Sequence, residues 1–128
     1  MPMKPLLKST RRPDIIIHRN GRISLSARIV RILTLAPGDT VSIDTDTDKD
    51  EYYLSLRARA ESLLGRHHAR CYPANRRSSH YRLSSVNLAR ALLDACHTDA
   101  IRISLICGEP ITIQGKIRIP IITKNIIR

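Results

Sequence analysis

Arginine dominates the side chains of this sequence that could take part in chemistry. The 128 residues include 22 Lys and Arg against 11 Asp and Glu, a net charge of +11, and seventeen of the 22 cations are Arg. The planar guanidinium group donates pairs of hydrogen bonds to phosphate oxygens. This excess favours a polyanionic partner such as nucleic acid; a solvated basic surface without a ligand is the alternative.

No arrangement of residues marks an enzyme. The sequence contains no P-loop, GxGxxG, GxSxG or HExxH motif, so we expect no catalytic residues and no cofactor. Alternating acids at Asp44, Asp46, Asp48 and Asp50 resemble a calcium loop, but Lys49 stands where that loop requires Gly. The acidic stretch therefore predicts a solvated hairpin turn.

Cysteine and histidine usage predicts neither disulfides nor a metal site. The three cysteines, Cys71, Cys96 and Cys107, are odd in number and have no CxxC spacing, which favours a reducing compartment. Several histidines lie in the same half of the chain, but without the short paired spacing of a structural zinc site. No apolar run has the length of a membrane span, and the N-terminus does not resemble a secretory signal. We therefore expect a cytoplasmic protein that binds no metal and no membrane.

The apolar residues predict a mainly β fold with two short helices. Phe and Trp are absent, and Ile recurs in short clusters; β-branched residues suit a pleated, half-buried surface. In the first half, Asn20-Gly21 predicts a two-residue hairpin turn, and Ser26 can cap a helix. The predicted order is β-β-α-β-β, over residues 14–19, 22–26, 27–33, 40–44 and 52–57.

These elements carry a family resemblance. The stretch GRISLSARIVRILTLAPGDTVSI, residues 21–43, resembles the AbrB-like domain of bacterial transition-state regulators and MazE-type antitoxins. The matching positions are Gly21-Arg22, Ile23, Leu25, Ile29, Arg31, Leu33, Gly38-Asp39, Val41 and Ile43. The resemblance covers roughly residues 14–58. Two positions depart from the family pattern: Ser26 stands where Pro is usual, and Val30 stands where Arg is frequent.

The resemblance implies a closed barrel of interleaved hairpin units that binds DNA through Arg-bearing loops. In that family two chains supply the two hairpin units. Whether one chain of this protein can form the barrel therefore depends on whether its second half contains a second unit. Residues 66–115 can be read as a degenerate second copy, with strands at 70–72, 82–83, 100–106 and 111–113 and a helix at 86–93. One chain would then form the whole barrel, with pseudo-two-fold symmetry between two ββαββ halves. A double-psi barrel is the alternative topology.

The predicted organisation has four parts. Residues 1–13 form a flexible basic arm, 14–60 the first half, 66–115 the second half and 116–128 an Ile-rich basic tail. The tail is either an additional edge strand or a segment that docks on a partner or on another copy of the chain.

The predicted function is weakly specific or nonspecific binding of duplex DNA, with transcriptional regulation as its role. Few aromatic residues make stacking on single strands a poor fit. The predicted DNA-binding residues are Arg11, Arg12, Arg19, Arg22, Arg28, Arg31, Arg70, Arg76, Arg77, Arg82 and Arg90. The alternative is a protein-interaction module, antitoxin-like or accessory, that uses residues 116–128.

Overall fold

The computed structural model describes residues 12–46, 51–56, 68–113 and 115–127. Within these ranges it contains nine strands and two helices. In chain order they are β1 (Ile15–His18), β2 (Arg22–Leu25), α1 (Ala27–Leu33), β3 (Thr40–Asp46), β4 (Glu51–Leu56), β5 (His68–Pro73), β6 (Tyr81–Ser84), α2 (Val86–Ala95), β7 (Arg102–Cys107), β8 (Ile111–Ile113) and β9 (Lys116–Ile127). The predicted mainly β fold with two helices is confirmed.

Eight of these strands close into an antiparallel barrel. The neighbour order is β4-β3-β5-β6-β2-β1-β7-β9, and β9 pairs back onto β4 to complete the ring. β8 pairs only with the start of β9 and lies outside the ring. Closure removes the exposed edges that an open sheet would present.

The two halves of the chain interleave within this ring. The β1–β2 hairpin lies between β7 and β6, and the β5–β6 hairpin lies between β3 and β2. Each strand of the first half has a counterpart in the second half: β1 corresponds to β5, β2 to β6, β3 to β7 and β4 to β9. If every strand is exchanged with its counterpart, the order of strands around the ring is unchanged. The barrel therefore has the pseudo-two-fold, swapped-hairpin arrangement, formed within a single chain.

Alternation of apolar residues along the strands fills the barrel interior. Ile15, Ile17 and Ile23 are fully buried, and Leu105 and Ile119 join them from the other half. Side chains at alternate positions of a strand point to opposite faces, so the residues between them face outward. Ile and Leu supply most of this core, and Tyr81 is buried within it.

A serine begins each helix. The Ser26 hydroxyl accepts a hydrogen bond from the Ile29 N–H, and the Ser85 hydroxyl accepts one from the Leu88 N–H. The predicted N-cap Ser26 is thus confirmed, and Ser85 has the same role in α2. Since β2 and β6 are antiparallel and each leads directly into a helix, α1 and α2 lie at opposite ends of the barrel. α2 has ten residues against seven in α1, so it continues past the predicted end at residue 93.

The first hairpin turn differs from its prediction. The Gly21 N–H donates to the His18 carbonyl, which makes Arg19 and Asn20 the central turn residues, and Gly21 follows with φ +106°. Three-residue hairpin loops commonly combine a turn with a glycine at positive φ. Close packing adds a second requirement, because a Cβ on Gly21 would lie 2.9 Å from Cγ2 of Val86.

The segment predicted as a tail completes the barrel. β9 pairs with both β7 and β4, and Ile119 and Ile121 are buried in the core. The strand that corresponds to β4 is therefore β9, and the predicted return strand at 111–113 is the outer β8. The sequence predicted a strand at 111–113 and gave an edge strand as one of two alternatives for the tail, but only long-range pairing shows which of them closes the ring.

Several predictions lie outside the described residues. They concern most of the basic arm including Arg11, part of the acidic turn at 47–50, and the connection at 57–67. Neither described helix has the length and apolar character needed to cross a membrane.

Candidate nucleic-acid interface

The outer surface of five consecutive strands, β7-β1-β2-β6-β5, forms a continuous basic face. Arg102 on β7 lies opposite His18 on β1, and the His18 ring lies 3.4 Å from an Arg22 guanidinium nitrogen. Arg22 lies opposite Ser84 on β6. On β5, Arg70 and Tyr72 point outward and are exposed. We call this surface the basic face and define it by its outward residues: Ile16, His18, Arg22, Ser24, Arg70, Tyr72, Arg82, Ser84, Arg102 and Ser104.

Two arginines and two serines form the centre of the basic face. In the β2–β6 pair, Arg22 lies opposite Ser84 and Ser24 opposite Arg82. The exchange of halves carries Arg22 onto Arg82 and Ser24 onto Ser84, so this quartet is self-complementary about the pseudo-two-fold axis. The repeated Arg-x-Ser pattern of the two strands produces it.

Charge on the basic face is of one sign. Among its described outward residues there is no Asp or Glu. Acidic residues are concentrated instead on β3 and β4, where Asp44, Asp46 and Glu51 lie. Asp44 is also 3.8 Å from Arg118 of β9. The described carboxylates of β3 and β4 thus lie on strands outside the basic face.

His18 responds to this environment. Partial burial, together with the positive charges of Arg22 and Arg102, lowers the pKa of its imidazole below 6.5. Each cause disfavours the protonated ring. A polyanion on the basic face would reverse the effect of the two arginines.

Two clefts adjoin the basic face. One, of about 480 Å³, lies over β5 and β6 and is lined by Arg70, Tyr72 and Arg82 among others. The other, of about 580 Å³, lies at the start of α1 and includes Arg12 and Arg31. Both are open grooves that a phosphate backbone could follow.

Two of the predicted arginines are engaged in holding the fold together. The Arg19 side chain donates hydrogen bonds of 3.1 Å and 3.0 Å to the carbonyl oxygens of Ala100 and Thr98, which fixes the first hairpin turn to the α2–β7 loop. Arg28, 29% exposed, lies 3.3 Å from the carboxylate of Asp14 and 3.7 Å from that of Glu109. Neither guanidinium is well placed to bind an external phosphate.

The structure separates the remaining predicted residues into groups. Arg22, Arg70 and Arg82 lie on the basic face. Arg76 and Arg77 are exposed in the loop at 74–80, which borders it. Arg12 and Arg31 line the second cleft, whereas Arg90 is exposed on α2, away from the strands.

Of the ten residues that define the basic face, the sequence predicted only Arg22, Arg70 and Arg82 as DNA-binding. His18, Ser24, Ser84 and Arg102 belong to it because of strand pairing between residues up to 84 positions apart, as in His18 and Arg102. The alternation of Arg102 with buried Ile103 and of Ser84 with buried Leu83 could have shown that both point outward. Nothing local could have shown that they share a surface.

The cysteines show no sign of a reactive or metal-binding role. Cys71 and Cys107 are buried, and burial raises the pKa of Cys71 to about 12. The thiolate is the reactive and metal-binding form, so Cys71 is held in its inert form. In the described part of the chain, no three His, Cys, Asp or Glu side chains are grouped as a metal ion would require.

Comparisons of the chain with protein-family models, with curated proteins and with solved structures found no match. The resemblance to the AbrB-like family therefore stays a prediction from the sequence.

Proposed function

We propose that this protein binds duplex DNA through the basic face. The observation that carries the proposal is the Arg22–Ser84 and Ser24–Arg82 quartet, centred on a surface whose described outward residues include no carboxylate. Arginine and serine side chains are common donors to DNA phosphates. The quartet repeats about a pseudo-two-fold axis, and a DNA duplex likewise presents its two strands symmetrically.

The basic face covers half of the barrel's circumference. Four of the eight spacings in the ring separate Arg102 on β7 from Arg70 on β5, so the quartet lies between the two flanking arginines. The quartet is therefore the part of the face that would meet a duplex directly, with one strand arginine on each side of it.

The distribution of charge supports a single binding side. The acids of β3 and β4 would repel phosphates and so orient the barrel with its basic face toward DNA. The AbrB-like resemblance extends the proposal to transcriptional regulation, and the three free thiols are typical of a cytoplasmic location.

Fluorescence anisotropy with a labelled random-sequence duplex tests the proposal. Binding should weaken steeply as salt rises, because each neutralised phosphate contributes about 0.9 to the slope of log K against log salt. Arg22→Ala and Arg82→Ala should each reduce that slope by about one. The two positions are equivalent about the pseudo-two-fold axis, so each variant removes one arginine of the quartet.

Lys116→Ala is the matched control. It removes the same unit charge from β9, outside the basic face, and should leave the salt slope unchanged. An equal loss in all three variants would mean that net charge alone drives binding. Absence of binding at low salt, despite the charge of +11, would refute the proposal.

The interaction-module alternative receives less support from the fold. Ile119 and Ile121, which the alternative would offer to a partner, are buried inside the barrel. Of the apolar residues in this part of the chain, Ile111, Ile113 and Ile117 on the β8–β9 ribbon are exposed.

A further inference from the structure

The two halves of the basic face match at its centre and differ at its flanks. Ile17 pairs with Ile23, and the equivalent Cys71 pairs with Leu83. The next outward residue is therefore His18 in the first half and Tyr72 in the second. His18 lies within reach of Arg22, whereas Tyr72 lies opposite Arg82 and is 52% exposed.

The outermost positions differ in the placement of charge. Ile16 of the first half corresponds to Arg70 of the second. Arg102, opposite His18, corresponds to Gly38, where an added Cβ would lie 3.8 Å from Cε1 of the Tyr72 ring. Each flank thus has one strand arginine, but at a different position relative to the quartet.

The connections at the two hairpin tips differ most. Three residues, 19–21, connect β1 to β2, and seven residues, 74–80, connect β5 to β6. Arg19 in the short turn is bound to the carbonyl oxygens of Thr98 and Ala100. In the long loop, Arg76 and Arg77 are exposed, and among the described residues neither guanidinium has a hydrogen-bond or ion-pair partner.

Hydrogen bonds within loop 74–80 give it a defined shape. The Asn75 side chain accepts from the Arg77 N–H at 3.1 Å, and the Ser78 hydroxyl and a His80 ring nitrogen are 2.6 Å apart. At the base of the loop, the Ala74 N–H donates to the His80 carbonyl. The two arginine side chains therefore project from an ordered support, which lowers the entropic cost of placing them in a groove.

We propose that the barrel binds duplex DNA with a fixed polarity and recognises a target without dyad symmetry. Loop 74–80 reads base edges in a groove through Arg76 and Arg77, and the opposite flank, with His18 and Arg102, contacts phosphates alone. This inference rests on the proposed function. Arg side chains contact guanine edges in the major groove, so the target has a guanine-containing block on one side only.

Selection of bound duplexes from a random-sequence pool, followed by sequencing, tests the inference. A single non-palindromic block containing guanine is expected. A palindromic motif would overturn the inference, because both flanks would then read bases. Failure to enrich any motif would also overturn the inference, although nonspecific binding would remain. A wild-type protein that binds no duplex would instead refute the proposed function itself.

Two double variants test whether loop 74–80 is the segment that contacts base edges. Arg76→Ala/Arg77→Ala should reduce the preference for the selected duplex over a random duplex by about tenfold or more, the effect of losing bidentate base contacts. His18→Ala/Arg102→Ala, the corresponding change at the other flank, removes one guanidinium rather than two and should weaken binding to both duplexes equally. Thermal unfolding checks that each variant is folded. Equal loss of preference in the two double variants would overturn the assignment.

Discussion

At the residue scale, the same side chain type serves different purposes in this barrel according to its neighbours. Arg19 and Arg28 bind groups of the protein itself. Arg22 and Arg82 are exposed on neighbouring strands, where Arg22 lies 3.4 Å from the His18 ring and Arg82 donates a 3.4 Å hydrogen bond to the Ala74 carbonyl. Asp14 illustrates the structural use of charge: it is 3% exposed, accepts a 2.8 Å hydrogen bond from the Cys107 N–H and lies beside Arg28. This carboxylate joins β1, α1 and β7.

His18 gives a pH prediction. Its pKa is lowered in the folded protein, so the unfolded chain binds more protons as the pH falls below 6.5, and the free energy of unfolding decreases there. Arg22→Ala or Arg102→Ala should move the NMR titration midpoint of His18 upward. Added duplex should also raise it, so affinity should increase on acidification. A midpoint that does not change with duplex would place His18 away from the DNA.

Gly21 gives a stability prediction. Gly21→Ala introduces a Cβ that meets Val86 at 2.9 Å, at a φ of +106° that L-residues rarely adopt. We expect a loss of about 2 kcal/mol or more in the free energy of unfolding, measured by chemical denaturation. Gly115→Ala is the control, because Gly115 also has positive φ but has no atom within 4 Å of the added Cβ. Equal losses would show that backbone conformation alone accounts for the effect.

At the element scale, β9 is the strand that closes the barrel. It supplies two of the eight pairings in the ring, those with β7 and β4. Its first residues leave the barrel to pair with β8, and its middle residues enter the core. One strand therefore contains an exposed ribbon and a buried closing segment.

The two parts of β9 should differ in sensitivity to truncation of a side chain. Ile119→Ala, at a position 0% exposed, should cost about 2–5 kcal/mol of unfolding free energy. Ile117→Ala, two residues earlier and 43% exposed, should cost less than about 1 kcal/mol. Urea denaturation of both variants measures the difference. Similar small losses would mean that β9 is peripheral to the core.

At the scale of the whole molecule, the barrel depends on contacts between the two halves. Four of the eight pairings in the ring join the halves, namely β2–β6, β1–β7, β3–β5 and β4–β9. Neither half can complete the core alone. The interleaving also produces the basic face, since β7, β6 and β5 come from one half and β1 and β2 from the other.

A cut between the halves tests this dependence. Cleavage at a protease site inserted between residues 60 and 61 should leave the two pieces associated, because four strand pairings hold them together. Size-exclusion chromatography and circular dichroism under native conditions should match those of the uncut chain, and the pieces should separate only in denaturant. Separation under native conditions would contradict the interleaved topology.

Much of the local structure could be predicted from the sequence. Short apolar runs, the Asn20-Gly21 turn and one alternating segment indicated strands, Ser26 indicated the start of α1, and the arginine excess favoured a polyanionic partner. Such signals act over a few residues, through side-chain direction and capping hydrogen bonds, so they can be read without knowing the fold. They also indicated the division into two similar halves.

Which segments of the chain pair with one another could be learned only from the tertiary structure. It made β9 rather than β8 the closing strand, bound Arg19 and Arg28 to groups within the protein, and placed His18 and Arg102 on one surface. These outcomes depend on pairing between residues far apart in the chain, for which many registers are compatible with the same alternation. The register that forms is the one that buries a complete apolar core inside a closed ring. The positions of the residues on the basic face follow from that register.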